Sequence, residues 1–257
     1  MQYLIIILVA FLASCLTFFS GFGLGTLLLP AFALFFPVQI AVALTAIVHL
    51  LNNIFKTWLV GKSADKSVVL KFGIPAIVAS FAGAYALVLL SKFPPLYSYH
   101  ALGSIKEITP IKIVLAVLIG LFALMELLPF FERISFDRKY LPLGGLLSGF
   151  FGGLSGNQGA LRSAFLVKCK LSKESFIATG VIIAVLVDIS RLSIYASSLS
   201  ISIIKDDWSI VIFATLSAFA GAYLGSKLLK KVTYKTIQWL VSAMLFFIAL
   251  GLGFGLV

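Results

Sequence analysis

The sequence predicts an all-α polytopic membrane protein built as an inverted repeat, each half a Gly-broken re-entrant helical hairpin followed by three transmembrane helices. Three observations predict it. The first is composition: of the 257 residues 61% are hydrophobic and 11% charged, with a mean hydropathy of +1.14. A soluble chain of this length cannot hide so much apolar surface. The second is a duplication: Phe81-Ala82-Gly83-Ala84-Tyr85 recurs unchanged as Phe219-Ala220-Gly221-Ala222-Tyr223, both copies deep in apolar runs. The third is a pair of broken apolar regions, 2–36 and 141–168. They are interrupted at Ser20-Gly21-Phe22-Gly23-Leu24-Gly25 and at Gly152-Gly153-Leu154-Ser155-Gly156-Asn157-Gln158-Gly159. Glycine clusters interrupt helices because glycine carries high backbone entropy and accepts conformations closed to other residues.

In chain order, the first repeat occupies residues 1–129: a hairpin over 2–36, then crossings at about 40–60, 71–91 and 110–129. A charged linker, 130–140, leads into the second repeat, 141–257, with a hairpin over 141–168 and crossings at about 174–199, 208–229 and 236–256. Each crossing offers the roughly 20 apolar residues that a bilayer core demands, whereas each arm of 141–168 has only about 12–14, too few to span. Other landmarks keep nearly the same offset. Pro30-Ala31-Phe32 corresponds to Ser163-Ala164-Phe165, and the polar pair Asn53 and Lys56 to Asp188 and Arg191. Corresponding broken segments in two halves are a signature of secondary transporters, whose site lies where the halves meet.

The basic residues decide how the broken regions cross. Three of the 20 Lys and Arg (Lys56, Arg162, Arg191) lie within apolar spans, leaving 17 in loops. If each broken region crossed once, the loops would divide seven against ten, which is no asymmetry. If each enters and returns to the same side, thirteen share one side and only Lys92, Lys106, Lys112 and Lys205 face the other. That division fits the positive-inside rule and selects the re-entrant topology. Both termini are then expected outside a cytoplasmic (cell inner) membrane, with the linker in the cytoplasm. A backbone that turns back at membrane depth must be buried in protein or line a wet cavity, so the Gly-rich tips are the first place to look for a substrate.

The formal charge of +11 does not indicate nucleic acid, because the basic residues fall in short clusters between apolar runs. Cys15 and Cys169 read as packed thiols. The N-terminus lacks the positive region of a cleavable signal, and the first apolar run reads as part of the fold. With two histidines and no catalytic motif, neither an enzyme, a metal centre nor a cofactor is expected.

Broken helices present unpaired backbone N–H groups and a positive dipole end near the midplane, which favours an anion. The second tip adds Ser155, Gly156, Asn157, Gln158 and Gly159, with Arg162 one turn beyond Gln158 and on its face. A guanidinium inside a membrane segment is costly unless paired and marks a functional position. Gly23 and Gly25 are the first tip's counterparts, although glycines also serve close helix packing, as the Gly221–Gly225 spacing does. The next helix of the first half carries Thr45, His49, Asn52, Asn53 and Lys56 on one stripe, suited to a polar anionic ligand. Interhelical hydrogen bonding competes for Asn52 and Asn53, and snorkelling for Lys56. The matching second-half helix offers Asp188, Arg191 and Tyr195. An Asp188–Arg191 ion pair is the leading expectation, with Asp188 as a proton carrier the alternative. Glu126 is a second proton-coupling candidate, set against a solvated role near a helix end. His100 is expected in a loop without a specific role.

At these residues the chain resembles the TauE/SafE family of membrane permeases, the sulfite exporter and sulfonate permease family. The resemblance rests on the two Gly-rich runs with Pro30 and Arg162 and on the duplicated pentapeptide, and it covers essentially the whole chain. The first run, Gly21-Phe22-Gly23-Leu24-Gly25, lacks the consecutive glycines many members show. The resemblance implies a secondary transporter of small sulfur-containing anions, sulfite or organosulfonates, exporting by alternating access coupled to an ion gradient. A passive anion channel and a permease for another small anion, such as a carboxylate, are the alternatives. The expected partners are the anion and the lipid bilayer, and Gly-lined helix faces are compatible with a monomer or a homodimer.

Overall fold

The computed structural model describes residues 2–16, 24–101, 103–128, 135–198, 208–228 and 234–256. The first part of the chain forms α1 (Gln2–Leu16), α2 (Leu24–Ala33), α3 (Val38–Val60) and α4 (Lys66–Leu90), then a ribbon of β1 (Tyr97–Ala101) and β2 (Ser104–Ile108), then α5 (Pro110–Leu127). The second part forms α6 (Leu141–Ser155), α7 (Gly159–Leu166), α8 (Lys173–Ser198), α9 (Trp208–Leu228) and α10 (Tyr234–Gly253). Helices α3, α4, α8 and α9 are long and apolar enough to cross a membrane, and α1, α2 and α5 are shorter apolar helices. The chain is a multi-pass membrane protein. Large apolar side chains point outward in rows one turn apart, such as Leu4, Leu8 and Leu12 on α1 and Ile74, Val78, Phe81, Tyr85 and Leu89 on α4. Such rows suit a hydrocarbon surrounding and not water.

Local chemistry sets the ends of the helices. The Asp65 carboxylate accepts the Val68 N–H (2.9 Å) and caps α4, which therefore begins at Lys66, ahead of the apolar run expected from about 71. Thr109 caps α5 with Pro110 in the first turn, where a missing N–H costs nothing. Gly156, at φ +80°, ends α6 in the left-handed conformation, its N–H donating to the Gly152 carbonyl.

Glycine governs how the helices pack. Gly145, Gly149 and Gly153 of α6 face the carbonyl oxygens of Phe72, Ala76 and Ser80 of α4, and a Cβ on any of the three would lie 2.2 Å from its oxygen. The spacing of four on both helices lets the two backbones run in contact over two turns. The duplicated pentapeptide does the same work twice. A Cβ on Gly83 of α4 would meet the Phe150 oxygen of α6 at 2.0 Å, and one on Gly221 of α9 the Phe11 oxygen of α1 at 2.3 Å. In each copy the Tyr faces outward while the glycine and the following alanine face in; Phe81 is exposed, whereas Phe219 is half-buried and stacks on Phe55 of α3. Helix α3 packs against α8 in the middle of the molecule, and α5 against α10.

The ends of the molecule are also defined. Asp65 lies 3.7 Å from Arg138, and its backbone N–H donates to the Thr179 hydroxyl (2.9 Å). Lys168, just after α7, reaches Asp137, just before α6, at 3.5 Å, so α6 and α7 return the chain to the end it left. Helix α4 carries the chain from Asp65 to the opposite end. There the Tyr99 hydroxyl donates to the Phe254 carbonyl (2.6 Å) beyond α10. The hydroxyls of Tyr3 and Ser209 meet at 2.6 Å near the starts of α1 and α9.

One expectation is corrected. The protein is helical but not all-α, and His100 lies in β1, paired with Ile105, and not in a loop. The antiparallel ribbon turns at Gly103, whose φ of +73° glycine adopts freely. Its strands pair over five residues and lie outside every apolar run, where hydropathy carries no signal.

Gly83→Ala and Gly221→Ala should each lower stability by about 1–3 kcal/mol, since the added methyl overpacks a backbone contact that no side chain can relieve. Thermal unfolding of the purified protein in detergent checks this. Unchanged midpoints for both would show that the pentapeptide glycines are not packing positions.

Candidate functional site

Helix α6 stops at Ser155 and α7 starts at Gly159, leaving Gly156, Asn157 and Gln158 as an irregular segment inside the protein. The Ser148 hydroxyl donates to the Gln158 carbonyl (3.0 Å), and the Asn157 N–H donates to the Ser155 hydroxyl oxygen (3.3 Å). These bonds hold the segment in shape, yet the Gln158 side chain does not cap α7. The side-chain amide atoms of both Asn157 and Gln158 are buried without a hydrogen-bond partner. Four uncommitted polar atoms beside an uncapped helix start are costly to bury and are suited to a ligand.

The α3 stripe lies over this segment. Thr45, His49, Asn52, Asn53 and Lys56 are all buried, as the spacing requires of one face of a helix at the centre of the bundle. Lys56 is 4% exposed, so it does not snorkel. The third wall is α8, where Asp188 and Arg191 have no exposed surface. Asp188 Oδ1 accepts from Arg191 Nε (2.9 Å) and Nη2 (2.7 Å). The other carboxylate oxygen, Oδ2, lies 2.6 Å from Nδ1 of His49 on α3. Asn53 Nδ2 approaches the same imidazole, 3.1 Å from Nδ1 and 3.2 Å from Nε2. The Tyr195 hydroxyl donates to the Gly153 carbonyl, tying α8 to the last turn of α6.

Arg191 reaches the break itself. A Cβ on Gly156 would lie 2.7 Å from Arg191 Nη1, an atom that is buried without a hydrogen-bond partner. Glycine at this position serves both its positive φ and the approach of the guanidinium. A Cβ on Gly25, in the first turn of α2, would lie 3.6 Å from the Gly156 oxygen and 3.6 Å from His49 Cδ2. The start of α2 therefore meets the second break, with His49 beside them. Arg162, on α7, is packed against Gly180 of α8, where a Cβ would lie 3.3 Å from its Nε. It stands within electrostatic reach of both Lys56 and Asp188.

The structure thus gathers Gly25, His49, Asn53, Lys56, Gly156, Asn157, Gln158, Gly159, Arg162, Asp188 and Arg191 in one region. The expected Asp188–Arg191 pair is present. Asn52 turns away, its Oδ1 accepting from the Ser14 hydroxyl of α1 at 3.2 Å, and the Ser155 hydroxyl donates to its own helix at Phe151 (3.0 Å). Gly23 and the side chain of Glu126 lie outside the described residues. Sequence reasoning missed the His49–Asp188 bond and the supporting roles of Ser148 and Gly180, none of which has a local signature. Among the described residues of this region, the buried cations are Lys56, Arg162 and Arg191 and the buried carboxylate is that of Asp188. Such a region can hold an anion, whose oxygens take up the unpartnered donors of Arg191, Asn157 and Gln158.

The family described as Sulfite exporter TauE/SafE has a sequence model that matches residues 6–252, nearly the whole chain. The chain belongs to that family. Membership implies a membrane transporter of sulfite- or sulfonate-type anions and not an enzyme. No curated protein and no solved structure matches the chain.

Breaking the central pair from either side leaves a buried charge uncompensated. Asp188→Asn and Arg191→Gln are each expected to cost about 3–5 kcal/mol, and the double substitution clearly less than their sum. Unfolding of the three variants in detergent measures this, and strictly additive losses would mean the two groups are not coupled.

Proposed function

We propose that this member of the TauE/SafE family moves sulfite or small organosulfonates by alternating access, in the export direction, with anion movement coupled to that of a second ion. The observation that carries this reading is the set of buried donors without a partner at the break between α6 and α7: Arg191 Nη1 and the side-chain amides of Asn157 and Gln158, beside an uncapped helix start. Buried donors of this kind are unfavourable until an acceptor enters, and a guanidinium among them favours an anionic one. Sulfite and sulfonates each present three oxygens from one centre. That arrangement suits simultaneous bonds to Arg191 Nη1, the Asn157 and Gln158 amides and the N–H groups at the start of α7.

Alternating access calls for two bodies that can rock about a fixed site, and the packing supports an inverted repeat of residues 1–129 and 141–257. Helix α4 of the first packs along α6 of the second, while α9 of the second packs along α1 of the first. The glycines of the duplicated pentapeptide seat both contacts. The site lies at the α3–α8 contact, where the halves meet. The inward-positive topology has support as well. Lys168, Arg138 and the Asp65 turn share one end, and the β-ribbon with Lys106 sits at the other. In this reading both termini lie on the ribbon's side, outside the cell.

Flux of sulfite and of methanesulfonate into liposomes containing the purified protein tests the function. Saturable flux is expected, falling at least about 30-fold in a folded Arg162→Ala protein, which corresponds to about 2 kcal/mol lost from a buried charged contact. Undiminished flux would remove Arg162 from the site, and transport of carboxylates in preference to sulfur anions would reassign the substrate. A cysteine placed by Ser172→Cys should label only from the cytoplasm and one placed by Ser98→Cys only from outside. Labelling of both from one side would discard the topology.

A further inference from the structure

We propose that His49 is a proton-binding site that loads together with the anion, so that proton and anion cross as a pair. This deepens, and rests on, the anion site described above. The imidazole stands between that site and the ion pair: Nδ1 is 2.6 Å from Asp188 Oδ2, and Cδ2 lies against Gly25 where α2 meets the carbonyl of Gly156. Asp188 is sealed, with no exposed surface, whereas a tenth of the His49 side chain remains accessible. A proton entering from water therefore reaches this pair through the imidazole.

The hydrogen bonds favour a neutral imidazole in the empty site. Asn53 presents its amide NH2 to the ring, 3.1 Å from Nδ1 and 3.2 Å from Nε2, and an NH2 group can only donate, so it opposes a ring with both nitrogens protonated. With Nδ1–H donating to Asp188, Nε2 is the ring nitrogen left to accept. A second proton places N–H against N–H at the Asn53 contact and breaks that bond. Nε2–H becomes a donor facing Gly25, where α2 meets the break. In the empty site this proton puts a second cation on the carboxylate that Arg191 already matches. With an anion present the same proton finds a counter-charge. Each ligand thus favours the other, by the same factor in both directions.

Ionisable groups on the neighbouring elements fit this account. Helix α8 presents Asp188, Arg191 and the Tyr195 hydroxyl, and α7 presents Arg162. Helix α3 itself adds Lys56, and α2 carries no ionisable residue. At the α3–α9 contact Phe55 stacks on Phe219, and the described ionisable groups of α9, Tyr223 and Lys227, are exposed and bonded to each other. Helix α5 brings Lys112 in its first turn. Among the described residues, His49 is thus the imidazole that touches both the ion pair and the break. One proton carried with one monovalent anion is electroneutral. Export then runs down the anion's own concentration gradient, and a proton gradient directed inward opposes it.

Calorimetric binding of methanesulfonate to the full-length protein in detergent tests this, because the probe stays a monoanion between pH 5.5 and 7.5. Titrations in buffers of differing ionisation enthalpy count the protons taken up. Uptake approaching about one proton per anion near neutral pH is expected, with affinity at pH 5.5 at least about tenfold tighter than at pH 7.5. His49→Gln should bind with no uptake and no pH dependence. Asn53→Leu, which leaves Nε2 without its competing donor, should move the pH midpoint of tight binding upward. Wild-type uptake persisting in His49→Gln, or binding to the native protein without uptake, overturns the proposal while leaving the anion site standing. An unmoved midpoint in Asn53→Leu likewise overturns it should His49→Gln fail to fold. Absence of binding by both methanesulfonate and sulfite at every pH sinks the anion site and this inference together.

Discussion

A carboxylate with no exposed surface, inside a membrane protein, must be matched on both oxygens, and Asp188 is. Arg191 takes one oxygen from the same helix and His49 takes the other from α3, 139 residues away in the chain. Left unmatched, the charge would cost several kcal/mol, so α3 and α8 are held in one relative position at the centre of the bundle. Everything else in the site is referred to that contact. Because Arg191 is anchored through Nε and Nη2, its Nη1 points in a set direction, towards Gly156. Because His49 is anchored through Nδ1, its other edge faces the start of α2.

The glycines make that arrangement reachable. Helix backbones carrying ordinary side chains stay 8–10 Å apart, and at that distance Arg191 would not close over the break in α6–α7. Gly145, Gly149 and Gly153 let α6 lie in backbone contact with α4, and Gly83 extends the contact. The same device at Gly221 seats α9 on α1. Lipid offers little hydrophobic drive for helix association, so close van der Waals packing carries much of it. The positioning of the broken segment and the cohesion of the bundle thus come from the same residues. Local polar bonds complete the placement: Ser148 holds the Gln158 carbonyl and Tyr195 holds that of Gly153, which leaves the Asn157 and Gln158 side chains uncommitted.

Much of this was legible in the chain. Helix positions follow from runs of apolar residues, and the stripe His49, Asn53, Lys56 and the set Asp188, Arg191, Tyr195 follow from the 3.6-residue period of a helix. The Asp188–Arg191 pair is one turn apart and equally local. Other features were not legible. Asn52 and Asn53 are adjacent and of one type, yet one is taken by Ser14 of α1 and the other by the imidazole, a choice made by which helix lies on which side. Lys56 reads equally as a residue that attracts an anion and as one that reaches the headgroups, and its burial sets the second reading aside. The β-ribbon escaped because its strands are short and lie outside the hydrophobic signal.

The sequence by itself determined the membrane class, the order of helices, the two interruptions and the surplus of basic residues within apolar spans. Those properties reside in composition and in spacings of a few residues, where covalent geometry alone relates the positions. Only the tertiary structure decided that the second break, the start of α2, the α3 stripe and the α8 pair converge on one region. That depends on long-range contacts, Gly83 on Phe150 and His49 on Asp188, which join residues with no local relation. Backbone approach at glycine and charge neutralisation in a low dielectric select those contacts, and both act through space and not along the chain.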